Sequence, residues 1–260
     1  MQDSLGDRMK SYEMQEAGRR FIPGLPVYAR IDGRTFSKFT KGMNRPYDQC
    51  MARAMIETTK YLVEQTNACI GYTQSDEISL VWYSPDPKSE IFFGGRVQKM
   101  TSQLAALASV KFLQQAMQYW PEKVENKLPT FDARVFMLPN LSEATNCFVW
   151  REWDATKNSK TMAASHYYSH KELHEKSGEQ KVDMLLKKGV LWNAYPAFFK
   201  RGTYVQRVTR KVPVPDYVPP QHRPESGTVT RSFIEELDMP PITKVVNREA
   251  VIFEKEKPQL

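Results

Sequence analysis

Apolar and polar positions follow two alternating spacings along the first 140 residues. Residues 4–17 carry Leu5, Met9 and Tyr12 on one helical face, with Ser4 placed to cap and Asp7 three residues on. Pro26–Asp32 reads as a strand ended by Gly33. Met51, Met55, Thr58 and Leu62 predict a helix over Tyr47–Thr66. Ala68–Thr73 and Ile78–Tyr83 read as strands, joined through Gln74-Ser75-Asp76-Glu77, a link short enough for a hairpin. Val97, Met100, Leu104 and Leu107 predict a long helix within Gly94–Trp120, and Phe131–Leu138 is a further strand.

Strand, helix, strand, strand, helix, strand is the split β-α-β order of ferredoxin-like domains. The expected fold class is therefore α+β. Its antiparallel sheet has the first and third strands side by side in the centre, both helices on one face, and the other face open to a substrate or second domain. Beyond residue 140 the pattern changes. Cys147–Trp150 suggests a strand end, Asn158–His174 and Lys181–Lys188 look helical, and Gly202–Val212 reads as a strand. Five prolines between Pro213 and Pro224 mark a linker or arm, and Arg231–Phe253 holds a short helix and a strand at most. The expected organisation is a core of residues 1–140, a basic C-terminal half (141–212) packed on it, and a Pro-rich arm or tail (213–260).

Composition changes this picture in two respects. A net charge of +7 over 260 residues favours an anionic partner, without saying whether RNA, DNA or free nucleotides. The three cysteines contain no CxxC pair, which speaks against a disulfide framework or a structural zinc site. With no apolar signal-length segment at the start and no run of 18 apolar residues, the expected location is the cytoplasm and no membrane is involved.

The fold has a chemical consequence. Asp32 ends the first strand and Asp76 sits in the hairpin that opens the third. On neighbouring strands about 4.8 Å apart, two carboxylates repel unless a cation lies between them. Magnesium, held by one or two carboxylates and substrate phosphates, is the natural candidate. Gly33 would let a backbone carbonyl approach the metal or a triphosphate. Two ions about 3.5–4 Å apart could activate a hydroxyl and clamp a leaving pyrophosphate. Glu77 points away from Asp76 if it lies in a strand and shares the site if it lies in a turn. Asp-Gly is also a common turn and Asp-Glu a common solvated tip; their shared sheet edge is what favours a metal site.

Arg96, Lys99 and Gln103 form a polar stripe on the long helix, where Arg96 and Lys99 could meet a triphosphate or simply face solvent. Lys200-Arg201-Gly202-Thr203 and Arg207–Lys211 form a basic ribbon. Nearby Trp192, Tyr195, Phe198, Phe199 and Tyr204 either stack on nucleic acid or belong to a core. His166, His170 and His174, at i, i+4 and i+8, read as a polar helix face rather than a zinc site.

Taken together and in order, these segments resemble the tRNA-His guanylyltransferase family of 3′-to-5′ polymerases. Arg30-Ile31-Asp32-Gly33-Arg34-Thr35-Phe36-Ser37-Lys38-Phe39 resembles its first metal motif, and Tyr72–Ser79, containing Gln74-Ser75-Asp76-Glu77, resembles its second. Arg96-x-x-Lys99-x-x-Ser102, Phe131-Asp132-Ala133-Arg134-Val135 and Lys200–Thr203 match in order and spacing, so that the resemblance spans roughly residues 5–212. It implies a polymerase-palm-like catalytic core and two magnesium ions held by Asp32, the Gly33 carbonyl and Asp76, with Glu77 in the catalytic set. It implies that Asp32, Gly33, Arg34, Thr35, Phe36, Ser37, Ser75 and Asp76, together with Arg96, Lys99 and Asn158, bind the nucleotide. ATP and GTP are the implied substrates, tRNA the implied partner, with Arg134, Lys200, Arg201, Arg207 and Arg210 facing RNA, and a homotetramer the implied assembly. In such a reaction a tRNA 5′-monophosphate is activated with ATP or GTP, and the 3′-hydroxyl of the incoming nucleotide attacks it.

Eukaryotic members carry a His-Ile-Asn-Asn-Leu-Tyr-Asn-like segment after Trp-Arg-x-x-Asp. Here Trp150-Arg151-Glu152-Trp153-Asp154 is followed by a stretch that retains only Asn158, with Thr156 in place of the histidine. That departure resembles the bacterial guanylyltransferase-like branch, associated with template-dependent repair of truncated tRNA 5′ ends. The alternatives are strict guanosine addition to tRNA-His, a palm-domain enzyme acting on nucleotides alone, such as a cyclase, and a non-catalytic RNA-binding protein of this fold.

Overall fold

The computed structural model describes residues 4–86 and 88–260. Residues 1–3, the start of the expected core, and Pro87 lie outside the described residues. The helices are α1 (Ser4–Ala17), α2 (Phe36–Phe39), α3 (Gln49–Thr66), α4 (Val97–Tyr119), α5 (Pro121–Asn126), α6 (Leu141–Ser165), α7 (His170–Leu173), α8 (Gly178–Lys187), α9 (Ala197–Arg201) and α10 (Arg248–Phe253). The strands are β1 (Val27–Gly33), β2 (Ile70–Gln74), β3 (Glu77–Trp82), β4 (Phe131–Met137), β5 (Thr203–Pro213) and β6 (Thr228–Glu236). No helix among the described residues is long and apolar enough to cross a membrane.

Among the described residues the strands form one six-stranded sheet, ordered β4-β1-β3-β2-β5-β6, in which every pair is antiparallel. The first four strands take the order expected of the split β-α-β arrangement, with β1 beside β3. Asp48 starts α3 by accepting a hydrogen bond from the Met51 N–H (3.0 Å), and Asn67 in the left-handed region ends it. On one sheet face Val27, Ala29, Ile31, Ile78, Leu80 and Trp82 pack against Met55, Leu62, Met100, Leu104 and Phe112 of α3 and α4. Period-two alternation in the strands and 3.6-residue spacing in the helices thus meet in one core.

The other face is not open. Tyr28, Tyr72 and Val81 point to it and are fully buried under Ala144, Phe148 and Val149 of α6 and under Met239, Ile242, Val251 and Ile252. Strands apolar on both faces must be covered twice, and the chain after residue 140 supplies the second layer. Two expectations are corrected here. Cys147–Trp150 belongs to α6, whose N-terminus is capped by Asn140 accepting from the Glu143 N–H (2.8 Å); Phe148 and Val149 face the sheet from a helix, while Trp150 is exposed. Residues 213–260 are not a tail: β6 pairs with β5 along its length, and Met239, Ile242, Val245, Val251 and Ile252 are core. The projecting part is limited to the Pro-rich turn between the two strands. The helix expected over Asn158–His174 also breaks, because Ser169 and Glu172 form a capping box that starts α7, so the three histidines share no helix face. By contrast, α1 buries none of its residues within the chain.

This assignment of the C-terminal segment predicts a contrast in stability. Ile252→Ala, which empties a fully buried position, should cost about 2–5 kcal/mol. Tyr217→Ala, in the Pro-rich turn and 78% exposed, should stay within about 0.5 kcal/mol. Urea denaturation of both variants checks this, and equal midpoints would contradict a packed C-terminus.

Candidate functional site

The register of β1 decides which side chains share the edge of the sheet. Asp32 stands opposite Glu77 on β3 and opposite Asp132 on β4. Directly paired residues of an antiparallel ladder point to the same face, so Glu77 lies on the Asp32 side, facing α6. Between Gln74 and Glu77 the hairpin turns in two residues, with Ser75 in the left-handed region (φ 50°). The Gly33 N–H donates to the Asp76 carbonyl (3.0 Å), pinning the hairpin tip to the end of β1. Gly33 has a steric reason to be glycine, since a Cβ there would come within 2.4 Å of the Phe36 ring. That ring belongs to a buried aromatic cluster with Phe39, Phe112 and Phe131.

The two aspartates are brought close without a countercharge. The Asp76 carboxyl is pushed above the usual aspartate range, first by burial and then by repulsion from Asp32, while the Ser75 hydroxyl, donating at 3.0 Å, draws it back. Asp32 has no hydrogen bond or ion pair to its carboxylate among the described residues. Glu77 differs. Arg151 donates to both of its oxygens, from Nε at 2.6 Å and from Nη2 at 2.9 Å, and Nη2 also reaches Asp154 at 3.0 Å. Burial raises the Glu77 carboxyl, and the Arg151 guanidinium lowers it again.

These groups open onto a cleft of about 870 Å³ between the sheet edge, the 40–48 loop, the start of α3, α6 and α9. It is large enough for a nucleotide and part of a second substrate, since small-molecule sites span about 300–1,000 Å³. Asp32, Phe36, Ser37, Ser75, Asp76, Glu77 and Asn158 all line it. Its far wall holds Tyr47, which packs against Phe198 (5.3 Å) and Phe199 (4.9 Å). Arg34 and Thr35 lie in the adjoining turn: the Arg34 N–H donates to Thr130 O, and Lys127 holds Thr35.

Other expected site residues are not brought to the cleft. Arg96 and Lys99 lie at the opposite end of the sheet. Strand β3 runs away from Glu77 to Trp82, and α4 starts from that far end before returning to meet Phe131 through Ser109 (2.9 Å). At 1.5 Å per residue, Arg96 lies roughly 20 Å down the helix from that level. All five basic residues expected to face RNA have partners within the chain. Arg134 lies 3.7 Å from Asp132 and Arg210 2.6 Å from Glu235. Arg207 donates to Glu64 O and Asn67, Lys200 to Asn193 O, and Arg201 to Met239 O. Of the aromatics, Tyr204 is core and Phe198 and Phe199 line the cleft.

Sequence reasoning missed Arg151 and Asp154 as members of the site. With α6 placed from Leu141, Arg151, Asp154 and Asn158 fall at i, i+3 and i+7 on one face. Reading Cys147–Trp150 as a strand end hid that stripe.

A cation fits the Asp32–Asp76 pair, because both carboxylates keep oxygens free and repel one another. The described residues contain no cluster of three or more acidic, His or Cys side chains able to hold a metal. Substrate phosphates would therefore complete its shell, as they commonly do for magnesium.

Comparison with known proteins gives a consistent result. The family described as tRNAHis guanylyltransferase matches residues 6–139. A bacterial tRNA(His) guanylyltransferase-like protein solved in complex with ATP is 34% identical, with a TM-score of 0.78 over 95% of this chain and 97% of that one. Another such structure, in complex with GTP, is 30% identical, with a TM-score of 0.72 over 96% and 98%. The tRNA(His) guanylyltransferase of Schizosaccharomyces pombe is 26% identical over 220 residues, 78% of this chain and 80% of that protein.

The raised Asp76 carboxyl makes stability depend on pH. The folded chain holds the Asp76 proton where the unfolded chain has already released it. Stability therefore falls as pH rises from the ordinary value of 3.8 through the raised one, and the loss persists above it. Asp76→Asn removes this loss, so without divalent cations it should melt higher than the parent at pH 7, and the gain should vanish below pH 3.8. Thermal melts across that range test it; a lower melting temperature for the variant at pH 7 would show that burial and repulsion do not raise the Asp76 carboxyl.

Proposed function

The chain belongs to the tRNA(His) guanylyltransferase family, and from that premise we propose that it adds nucleotides to tRNA 5′ ends in the 3′-to-5′ direction, templated by the opposing strand, by two-metal nucleotidyl transfer. It is a nucleotidyltransferase, as its relatives are. The observation that carries the finer reading is the Asp32–Asp76 pair, without a countercharge and facing a cleft of nucleotide size. Relatives solved with ATP and with GTP support a nucleoside triphosphate as the guest.

In this reading Asp32, Asp76 and the Gly33 carbonyl hold the magnesium ions of a palm-like core. When bound, the ions lower the pKa of the attacking hydroxyl and neutralise the triphosphate. The chain's own residues do the rest. The Gly33–Asp76 backbone bond holds the hairpin tip against the end of β1, which keeps the two aspartates side by side before any ligand arrives. Tyr47, Phe198 and Phe199 offer aromatic and apolar surface to a base. Ser37 and Asn158 bring neutral polar groups to the same space. A non-catalytic RNA-binding protein would have no reason to keep two uncompensated carboxylates in a cleft.

The composition of α6 supports the templated form of the activity. Asn158 lines the cleft, whereas Thr156, in place of the histidine of eukaryotic members, does not. A base-paired template selects the incoming nucleotide by its own hydrogen bonds, so the protein need only hold the duplex end and the triphosphate.

Two outcomes are expected. Asp32→Ala or Asp76→Ala should lower nucleotide addition by at least about a thousandfold while leaving the circular dichroism spectrum unchanged. In competition, a 5′-truncated tRNA should be extended with the nucleotide complementary to its 3′ strand in preference to full-length tRNA-His. A strong preference for full-length tRNA-His, lost when its anticodon is changed, would falsify the templated reading and favour strict guanosine addition.

A further inference from the structure

The ion pair behind the cleft has a role of its own. Arg151 is 5% exposed and Glu77 8% exposed. The guanidinium meets Glu77 in a two-pronged contact (2.6 and 2.9 Å), reaches Asp154 at 3.0 Å, and lies 4.5 Å from the centre of the Trp150 ring. Asn158 Nδ2 donates to the same Asp154 oxygen at 3.4 Å. A continuous chain of polar contacts therefore runs from β3 into α6 and ends on an exposed amide in the cleft.

The arrangement separates the acidic groups into two kinds. Both Glu77 oxygens are committed to a cation within the chain. The Asp32 carboxylate has no partner among the described residues, and the Asp76 carboxylate only accepts from Ser75. A metal drawn to Glu77 would have to displace a bidentate, charge-assisted contact and sit beside the arginine's positive charge. Asp32 and Asp76 impose neither penalty.

We propose that Arg151 is a positioning residue for nucleotide binding: it uses Glu77 as its anchor on the sheet, fixes the α6 wall against the carboxylate edge, and aims Asn158 through Asp154 into the cleft. Glu77 thus serves as the anchor of that wall and is not a metal ligand. This inference rests on the nucleotidyl-transfer reading and deepens it. The guanidinium fork suits the task, because its planar donors fix angle as well as distance, which an ammonium does not.

The test is equilibrium binding of a fluorescent GTP analogue to the full chain, titrated with magnesium, which requires no turnover. Asp76→Asn should raise the magnesium midpoint by about tenfold or more. Glu77→Gln and Arg151→Met should leave that midpoint within about twofold yet weaken the analogue by about tenfold, the size of one charge-assisted hydrogen bond. Arg151→Lys should recover part of the loss. Asn158→Ala should reproduce it and add nothing to Arg151→Met, because the two residues act through one chain of contacts. Arg151→Met leaves a buried carboxylate unpaired and can unfold the protein; Glu77→Gln then decides alone. A magnesium midpoint shifted as far by Glu77→Gln as by Asp76→Asn overturns the proposal by making Glu77 a ligand. Parent-like affinity in both Glu77→Gln and Arg151→Met also overturns it, as does full additivity with Asn158→Ala. If the parent chain itself fails to bind the analogue in magnesium, the nucleotidyl-transfer reading falls as well.

Discussion

Two negative charges held side by side without a protein cation are the constraint around which this molecule is organised. Asp32 and Asp76 come from different strands, yet the Gly33–Asp76 backbone bond forbids them to separate. Their repulsion and the burial of Asp76 both raise its carboxyl. Folding must supply that opposing free energy from elsewhere, and it does so through a sheet buried on both faces. A site of this kind is less stable empty than occupied, which is why a cation and a polyphosphate are its natural guests.

An arginine lining the same cleft could have quenched this charge and does not. Arg151 is turned instead toward Glu77 and Asp154. Buried ion pairs add little net stability, because desolvation offsets most of the attraction. Their value lies in geometry: the fork of Arg151 joins a strand to a helix at a fixed angle. The same short edge of the sheet thus carries two kinds of acid, one pair left free and one carboxylate neutralised, and the division follows from which side chain α6 presents at each turn.

The C-terminal segment gives the edge its rigidity. Glu152, next to Arg151, accepts hydrogen bonds from the Tyr204 hydroxyl and the Ile242 N–H, both at 2.9 Å. Helix α6 is thereby tied to β5 and to the chain following β6, so the wall of the cleft depends on residues far from it in sequence. Gly202 (φ 82°) allows β5 to begin against β2, where a Cβ would lie 2.6 Å from the Thr73 carbonyl.

By itself the sequence determined the four strands and three long helices of the first 140 residues, their strand order, and the pairing of Asp32 with Asp76 on one edge, but not the short helices α2 and α5. Each rests on short-range rules: apolar periodicity, glycine and hairpin chemistry, and the antiparallel order of a split β-α-β unit. The motifs were ordered enough to indicate the family. Tertiary structure alone decided where longer connections led. Arg96 and Lys99 look phosphate-facing in sequence, but the return direction of α4 carries them to the far end of the sheet. The Pro-rich stretch suggests an arm, yet the strand and helix beyond it complete the sheet and cover its second face. Whether Glu77 joined Asp76 or turned away depended on the β1–β3 register and on a partner, Arg151, 74 residues distant. Periodicity reports which face of an element is buried. It does not report which distant side chain that face will meet, because that contact exists only once the chain has closed on itself.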